Sequence, residues 1–182
     1  EWYFVRIPQK AFHNLINSQL ALTLQPEIVD SLVNSAMIIQ KTRHHQFKAT
    51  TLLNFQTKKD NEQAGLILYR TANGYYSLLK DKSGIALIKK HLGKREIIEH
   101  IPYNKQEVFL SVAVNGTEIQ FSFGETQEHM TNIGSIQNVA PLSDNKFNKF
   151  NGTGVGVYAT SNGKQSRNKA LYDWFEYISD KN

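Results

Sequence analysis

The sequence predicts an all-β protein, folded as a two-sheet antiparallel β-sandwich. Apolar or small side chains alternate with their neighbours along residues 47–53, 119–123 and 153–157, which is the two-residue period of half-buried strands. Asn115-Gly116 lies between two apolar runs and is a strong hairpin signal. Roughly ten to twelve short runs follow one another at regular spacing, which favours a sandwich over alternating strands and helices.

Length and composition are those of one domain spanning residues 1–182, with 40% hydrophobic and 20% charged residues. The chain has no cysteine, which excludes disulfides and thiolate metal sites but does not define a compartment. The net charge is +5, but the lysines and arginines are dispersed, so we expect a solvated surface and no nucleic-acid partner. No apolar run approaches the ~18 residues of a membrane helix. The first residue is glutamate, so we expect a fragment or a processed form.

The first third of the chain is predicted to contain two strands and one short helix. Leu20, Leu22 and Leu24 alternate on a strand that ends at Pro26. Residues 27–35 are the best helix candidate, and a strand is expected to begin near residues 37–39.

His44 and His45 resemble a metal-binding pair, but they are adjacent at the start of the strand predicted at residues 43–55. Neighbouring residues on a strand point to opposite faces, so one histidine is expected to be buried and the other exposed. A zinc site needs three or four converging ligands. No residue spacing indicates calcium, although Asp60 or Asp173 could join backbone carbonyls in a site. We therefore expect no cofactor.

The rest of the chain is predicted to be strands joined by turns. A buried strand at residues 64–70 precedes a turn at residues 72–74, where Gly74 could adopt a positive φ. Residues 124–149 are predicted to be irregular. In the strand after them, Gly152, Gly154 and Gly156 share one face, which leaves room for a neighbouring layer or a ligand. The last strand is expected at residues 170–177.

The carboxylates do not form a recognisable catalytic set. Asp173 and Glu176 are three residues apart on a predicted strand and are expected on opposite sides, whereas a retaining glycosidase needs two carboxyls ~5 Å apart. The carboxylates in apparent loops are interpreted as solvated surface groups. These are Asp60, Glu62, Asp81, Glu125 and Glu128. We therefore expect no catalytic residue in this chain.

Five segments in a fixed order carry a resemblance to a known family. They are a Trp-x-x-x-Arg-x-Pro element at Trp2, Arg6 and Pro8, KTRHHQFKATTLLNF at 41–55, AGLILYRTANGYYSL at 64–78, FNGTGVGVYA at 150–159 and LYDWFEY at 171–177. Over nearly its whole length the chain resembles the C-terminal domain of glycoside hydrolase family 43 β-xylosidases and α-L-arabinofuranosidases. That domain is a concanavalin A-like jelly roll. The resemblance also implies that Trp2 is buried at the start of the domain.

The resemblance implies an accessory role within a larger glycoside hydrolase acting on plant-type pentose polysaccharides. In such enzymes a separate five-bladed propeller carries the catalytic carboxylates, and the sandwich packs on the propeller. The implied partners are this propeller and carbohydrate, and a periplasmic or secreted location is slightly favoured. A stand-alone carbohydrate-binding module is the alternative, and a small lectin-like lyase or hydrolase is a third possibility.

Phe150 is the one substrate-binding residue that the resemblance implies. It directly precedes Asn151-Gly152 and matches an aromatic of the family that can reach the rim of the substrate pocket. Its neighbours Asn148, Lys149 and Asn151 are polar, which suits a loop better than a core. The alternative is that Phe150 closes the edge of the sandwich.

Overall fold

The computed structural model describes residues 1–143 and 152–179 and confirms the all-β sandwich. The described residues form fourteen strands and a single 3₁₀ turn, η1 (Ala140–Leu142). The strands are β1 (Trp2–Phe4), β2 (His13–Ile16), β3 (Gln19–Thr23), β4 (Ala36–Lys41), β5 (Gln46–Asn54), β6 (Gln63–Thr71), β7 (Gly74–Lys80), β8 (Gly84–His91), β9 (Lys94–Pro102), β10 (Glu107–Asn115), β11 (Glu118–Thr126), β12 (His129–Asn138), β13 (Gly154–Thr160) and β14 (Lys169–Ser179).

The strands form two antiparallel sheets of seven. Sheet I has the order β1-β4-β13-β6-β7-β8-β9, and sheet II has the order β12-β11-β10-β5-β14-β3-β2. The predicted hairpin at Asn115-Gly116 joins β10 to β11, and Gly116 adopts a φ of +62°. Among the described residues, no helix has the length and apolar character that crossing a membrane requires.

The main core lies between the two sheets. The predicted inward row of β5, Phe47, Ala49, Thr51 and Leu53, is buried there. Tyr172 on β14 crosses the core, and its hydroxyl lies 2.9 Å from the carbonyl oxygens of both Gly65 and Tyr158. Because these two carbonyls belong to β6 and β13 of sheet I, one side chain of sheet II is bonded to the centre of the opposite sheet.

A second apolar cluster covers the outer face of sheet I, and the predicted helix at residues 27–35 is absent there. The segment instead forms turns whose groups bond individually to the sheet. The Val29 amide donates to the Tyr158 hydroxyl at 3.1 Å, and Asp30 accepts 2.7 Å hydrogen bonds from Tyr75 and Lys90. These tertiary bonds override a weak local helix preference, whereas the strand expected near residues 37–39 is confirmed as β4.

Residues 124–149 contain a strand that the sequence did not predict. β12 (His129–Asn138) is the edge strand next to β11, and Ile133 is its one buried residue. An edge strand that is open to solvent needs little apolar alternation. The two-residue apolar period is therefore absent from its sequence.

Two predicted glycine roles also change. Gly74 lies in β7 without a positive φ, and a Cβ there would approach the Pro141 carbonyl oxygen to 2.0 Å. Gly152 has a φ of +81° and precedes β13, so it does not share a strand face with Gly154 and Gly156. A Cβ at Gly156 would lie 2.0 Å from the Ile38 carbonyl oxygen, so the space beside this glycine belongs to the neighbouring strand β4.

Trp2 and the two histidines are more exposed than expected. Trp2 is 44% exposed and contacts Phe175 edge-on at 4.9 Å, so the prediction of burial was wrong. It lies on a three-residue edge strand that pairs only with β4, which leaves one side open. His44 and His45 precede β5 and are both exposed, because the chain there crosses between sheets.

Candidate functional site

An open cleft of about 820 Å³ lies at one end of the sandwich. It forms where β4 leaves sheet I and residues 42–45 cross to β5 in sheet II. The cleft is lined by Glu1, Tyr3, Gln40, Lys41, Arg43, His44 and Tyr177. Both sheets and the crossing segment thus contribute side chains to one polar surface.

Tyr177 on β14 is the aromatic centre of the cleft. Its ring stacks on Phe47 at 4.9 Å, and its hydroxyl accepts a hydrogen bond from the Arg43 amide at 3.4 Å. His44 Nδ1 lies 3.3 Å from the same hydroxyl. Burial raises the pKa of Tyr177, and the hydrogen bonds from the 43–44 segment oppose that rise only in part. The phenol therefore stays neutral and can exchange hydrogen bonds with a polar ligand.

The charged groups that line the cleft among the described residues are mainly cationic. Lys41 and Arg43 contribute positive charge, and Glu1 is the one carboxylate side chain among the lining residues. Glycoside hydrolysis normally uses two carboxyls that flank the scissile bond. The described lining therefore offers aromatic and hydrogen-bonding surface without an acid–base pair.

The described ends of segment 143–152 converge beside this cleft. Thr153 accepts two hydrogen bonds from Thr42, from the amide at 3.0 Å and from the hydroxyl at 3.1 Å. The Thr153 hydroxyl donates to the Leu142 carbonyl at 3.1 Å, and both residues are buried. Phe150 lies outside the described residues, so its place at a pocket rim remains a prediction.

Glu62 and Asp81 are not the solvated carboxylates that the sequence predicted. Glu62 is 1% exposed and accepts hydrogen bonds from the Lys58 and Lys59 amides. The Ser166 hydroxyl at 2.9 Å and the Asn168 amide nitrogen at 2.8 Å also donate to it. Asp81 accepts from the Ser83 and Gly84 amides and lies 2.9 Å from His100 Nε2. Both carboxylates organise loops, and the carboxylates at 60, 125 and 128 are exposed as expected.

Asp173 and Glu176 are placed by a bulge in β14. The register shifts between Tyr172 and Phe175, which both face the core, and Asp173 and Glu176 are both exposed. The expectation of opposite sides was wrong, because one extra residue in the strand changes the alternation. Asp173 accepts a 3.4 Å hydrogen bond from Gln19, whereas Glu176 pairs in register with Thr50.

Within residues 1–143 and 152–179, no three histidine or carboxylate side chains converge as a metal site would require. No pattern in the sequence indicates the cleft itself. Its residues come from three separate segments, and only the aromatic ending of the chain was visible as a signal.

Comparison with known proteins establishes the family. The model of the beta xylosidase C-terminal concanavalin A-like domain matches residues 1–178. The chain belongs to this family. The family 43 domain assignment covers all of the cleft residues.

Longer family 43 proteins are similar to this chain. It is 28% identical over 185 residues to the non-reducing end alpha-L-arabinofuranosidase BoGH43B of Bacteroides ovatus, covering 97% of this chain and 34% of that protein. It is 26% identical to a xylosidase/arabinosidase of Butyrivibrio fibrisolvens, covering 94% of this chain and 35% of that protein. The chain thus spans about a third of the length of these relatives.

Solved structures show the same fold. The family 43 protein BlXynB of Bacillus licheniformis superposes with a TM-score of 0.87 at 24% identity, over 97% of this chain and 36% of that one. A functionally unknown protein of Saccharomyces cerevisiae superposes with a TM-score of 0.69 at 12% identity, and the match covers 97% of its chain. The same sandwich fold therefore occurs both within longer chains and as nearly a whole chain.

Proposed function

We propose that this chain is the accessory β-sandwich of a family 43 glycoside hydrolase, a β-xylosidase or α-L-arabinofuranosidase that acts on plant-type pentose polysaccharides. The observation that carries the proposal is the family match over residues 1–178, together with relatives about three times longer that bear these enzyme names. A five-bladed propeller in the same protein supplies the catalytic carboxylates. The sandwich packs on that propeller and shapes its substrate pocket.

The cleft end of the sandwich is the part that we propose faces the propeller. Tyr3 and Tyr177 provide apolar rings with polar tips, and Lys41 and Arg43 provide charge for a protein or sugar surface. The buried bond between Thr153 and Leu142 supports this orientation, because the two residues flank the segment that contains Phe150 and Thr153 bonds to Thr42, between the cleft residues Lys41 and Arg43.

The isolated chain is expected to hydrolyse neither aryl β-xylosides nor aryl α-L-arabinofuranosides. The reason is the absence of a paired acid and base among the cleft residues that the structure describes. The measurement is release of 4-nitrophenol by purified chain 1–182, with the longer protein as the positive control. Turnover by the isolated chain that a point mutation within it abolishes would contradict the proposal.

Phe150→Ala is expected to leave the melting temperature of the isolated chain nearly unchanged. In the longer protein it should lower kcat/KM by about tenfold or more, because substrate positioning at the pocket rim is relaxed. Leu92→Ala, at an exposed position in the β8–β9 turn, is the control and should change neither quantity. A large loss of stability with unchanged turnover would assign Phe150 to the edge of the sandwich instead.

A stand-alone carbohydrate-binding module is the second candidate. The observation that favours it is the yeast protein, in which this fold makes up nearly the whole chain. The two candidates separate in one experiment. If the sandwich acts independently of a propeller, its removal from the longer protein leaves the hydrolysis of small aryl glycosides unchanged.

A further inference from the structure

The outer face of sheet II carries side chains in rows that cross the strands. On β10 and β5, Val108, Leu110, Leu53 and Phe47 point into the core, so the residues between them face outward. Their register pairs Phe109 with Leu52, Ser111 with Thr50 and Ala113 with Lys48. Each pair forms the centre of a row that continues onto the neighbouring strands.

One row is an aromatic ridge made by Phe109 and Trp174. Their ring centroids are 5.9 Å apart and their planes are tilted by 49°. Both rings are partly exposed. The bulge in β14 lies opposite Leu52 and gives that strand two consecutive residues, Asp173 and Trp174, between the inward-facing Tyr172 and Phe175. The bulge thus interrupts the regular alternation of β14 and places Trp174 beside Phe109.

The adjacent row is a floor of short polar side chains. Thr50 and Ser111 are joined by a 2.9 Å hydrogen bond between hydroxyls and are almost fully buried. The same row continues through Ser122 on β11 to Asn132 on β12, and it ends on the other side at the exposed Glu176. Buried hydroxyls on the outside of a sheet indicate a low row, since Phe109 and Leu52 flank them on one side and the long Lys48 side chain flanks Thr50 on the other.

We infer that this floor and ridge form a groove that binds one chain of a neutral polysaccharide. The inference rests on the carbohydrate part of the proposed function and assigns it a surface. Aromatic rings combine a large apolar face with a tolerance for wet surroundings, which suits the flat face of a sugar ring. The accessible members of the floor, which are the Ser122 hydroxyl, the Asn132 amide and the Glu176 carboxylate, exchange hydrogen bonds with sugar hydroxyls. The buried Thr50 and Ser111 hydroxyls bond to each other and keep the floor low.

The size and charge of the row agree with this occupant. Five strands at a spacing of about 4.8 Å give a row roughly 19 Å long, enough for several linked sugar rings. The floor positions are uncharged apart from Glu176, and the flanking row of Gln120, Ala113, Lys48 and Ile178 adds a single cation, so an acidic polymer finds no row of cations beside this floor. A row of small polar side chains through the middle of the face is also unlike the apolar centre of a stable protein interface.

The test is native gel electrophoresis of chain 1–182 in gels that contain soluble arabinoxylan, with polygalacturonic acid as the acidic comparison. The wild-type chain should be retarded by arabinoxylan alone. Trp174→Ala should weaken the apparent affinity by about tenfold, which corresponds to the loss of one good stacking contact. Glu176→Gln should weaken it to a smaller extent. Ile97→Ala removes a similar exposed apolar side chain from sheet I and should bind as wild type.

Melting temperatures of all variants accompany the binding data. If Trp174→Ala does not fold, Ser122→Arg tests the groove instead. It places a long side chain on a partly exposed floor position and should abolish the retardation by arabinoxylan. No retardation of the wild type, or equal retardation of all variants, would overturn the inference. Retardation that disappears in the longer protein would also overturn it, since another domain would then cover this face. Hydrolysis of aryl glycosides by the longer protein is independent of these outcomes, so failure here leaves the proposed function intact.

Discussion

Tyr172→Ala is expected to lower the free energy of unfolding by about 3–5 kcal/mol, the range for truncating a large buried aromatic. Tyr172 is 3% exposed and lies in the core between the two sheets. Its truncation opens a cavity and also removes the hydroxyl that bonds to Gly65 and Tyr158. Urea denaturation followed by tryptophan fluorescence measures the change.

Tyr172→Phe separates the two contributions. It keeps the ring and removes only the hydroxyl, so we expect a loss of about 1–2 kcal/mol. Burial raises the pKa of Tyr172 far above its usual range, so the hydroxyl is neutral at every pH at which the protein is handled. Both variants lack the hydroxyl, so the difference between their free energies of unfolding measures the packing of the ring alone. A loss below about 1 kcal/mol for Tyr172→Ala would contradict the described core.

Glu62→Ala is the second substitution with a large expected effect, about 3 kcal/mol, which lowers the melting temperature by roughly 6–12 °C. The variant leaves the Lys58 and Lys59 amides, the Ser166 hydroxyl and the Asn168 amide without their common acceptor. Two loops about a hundred residues apart in sequence then lose their shared anchor. Thermal melting at pH 7 measures the loss.

The same carboxylate gives stability a defined dependence on pH. Burial alone would raise the pKa of Glu62, but its four hydrogen-bond donors outweigh burial, and the pKa is lowered. A lowered pKa in the folded state means that the stabilisation is fully present above the usual glutamate pKa of about 4.3. It is lost as pH falls through the lower pKa of the folded state.

Asp60→Ala is the matched control for Glu62→Ala. Asp60 lies in the same loop, but it is exposed and pairs with Lys82 at 2.6 Å on the surface. We expect the melting temperature of the Asp60→Ala variant to change little, because exposed ion pairs contribute little to stability. Equal effects of the two substitutions, or an unchanged acid unfolding profile in Glu62→Gln, would show that the Glu62 network does not stabilise the fold.

The sequence predicted those features whose signal is local. Alternation along β5, β11 and β13 identified strands with one buried face, and Asn115-Gly116 identified a hairpin, because each depends on neighbouring residues. The predictions failed where the interacting residues are far apart in the sequence. The donors to Glu62 at Ser166 and Asn168 lie more than a hundred residues away, and nothing near Glu62 in the sequence indicates them.

The candidate sites were harder to predict than the fold. The β14 bulge reversed the expected relation between Asp173 and Glu176, since one inserted residue changes the face of every residue after it. The resemblance implied that Trp2 is buried, although a short edge strand buries only one side of a ring. The cleft forms because residues 42–45 cross from one sheet to the other. That crossing is a property of the strand topology, which the periodicity of the sequence does not reveal.

The order of strands in the two sheets makes the folding of this domain depend on its last residues. β13 lies between β4 and β6, and β14 lies between β3 and β5, so the final strands occupy the interior of both sheets. During synthesis, β1 to β12 emerge first, and each sheet at that stage has two unpaired inner edges. Open edges of this kind are prone to pair with other chains. Pairing across such long sequence separations is also slow. A nascent chain therefore remains vulnerable to aggregation until residues 154–179 have left the ribosome and joined both sheets.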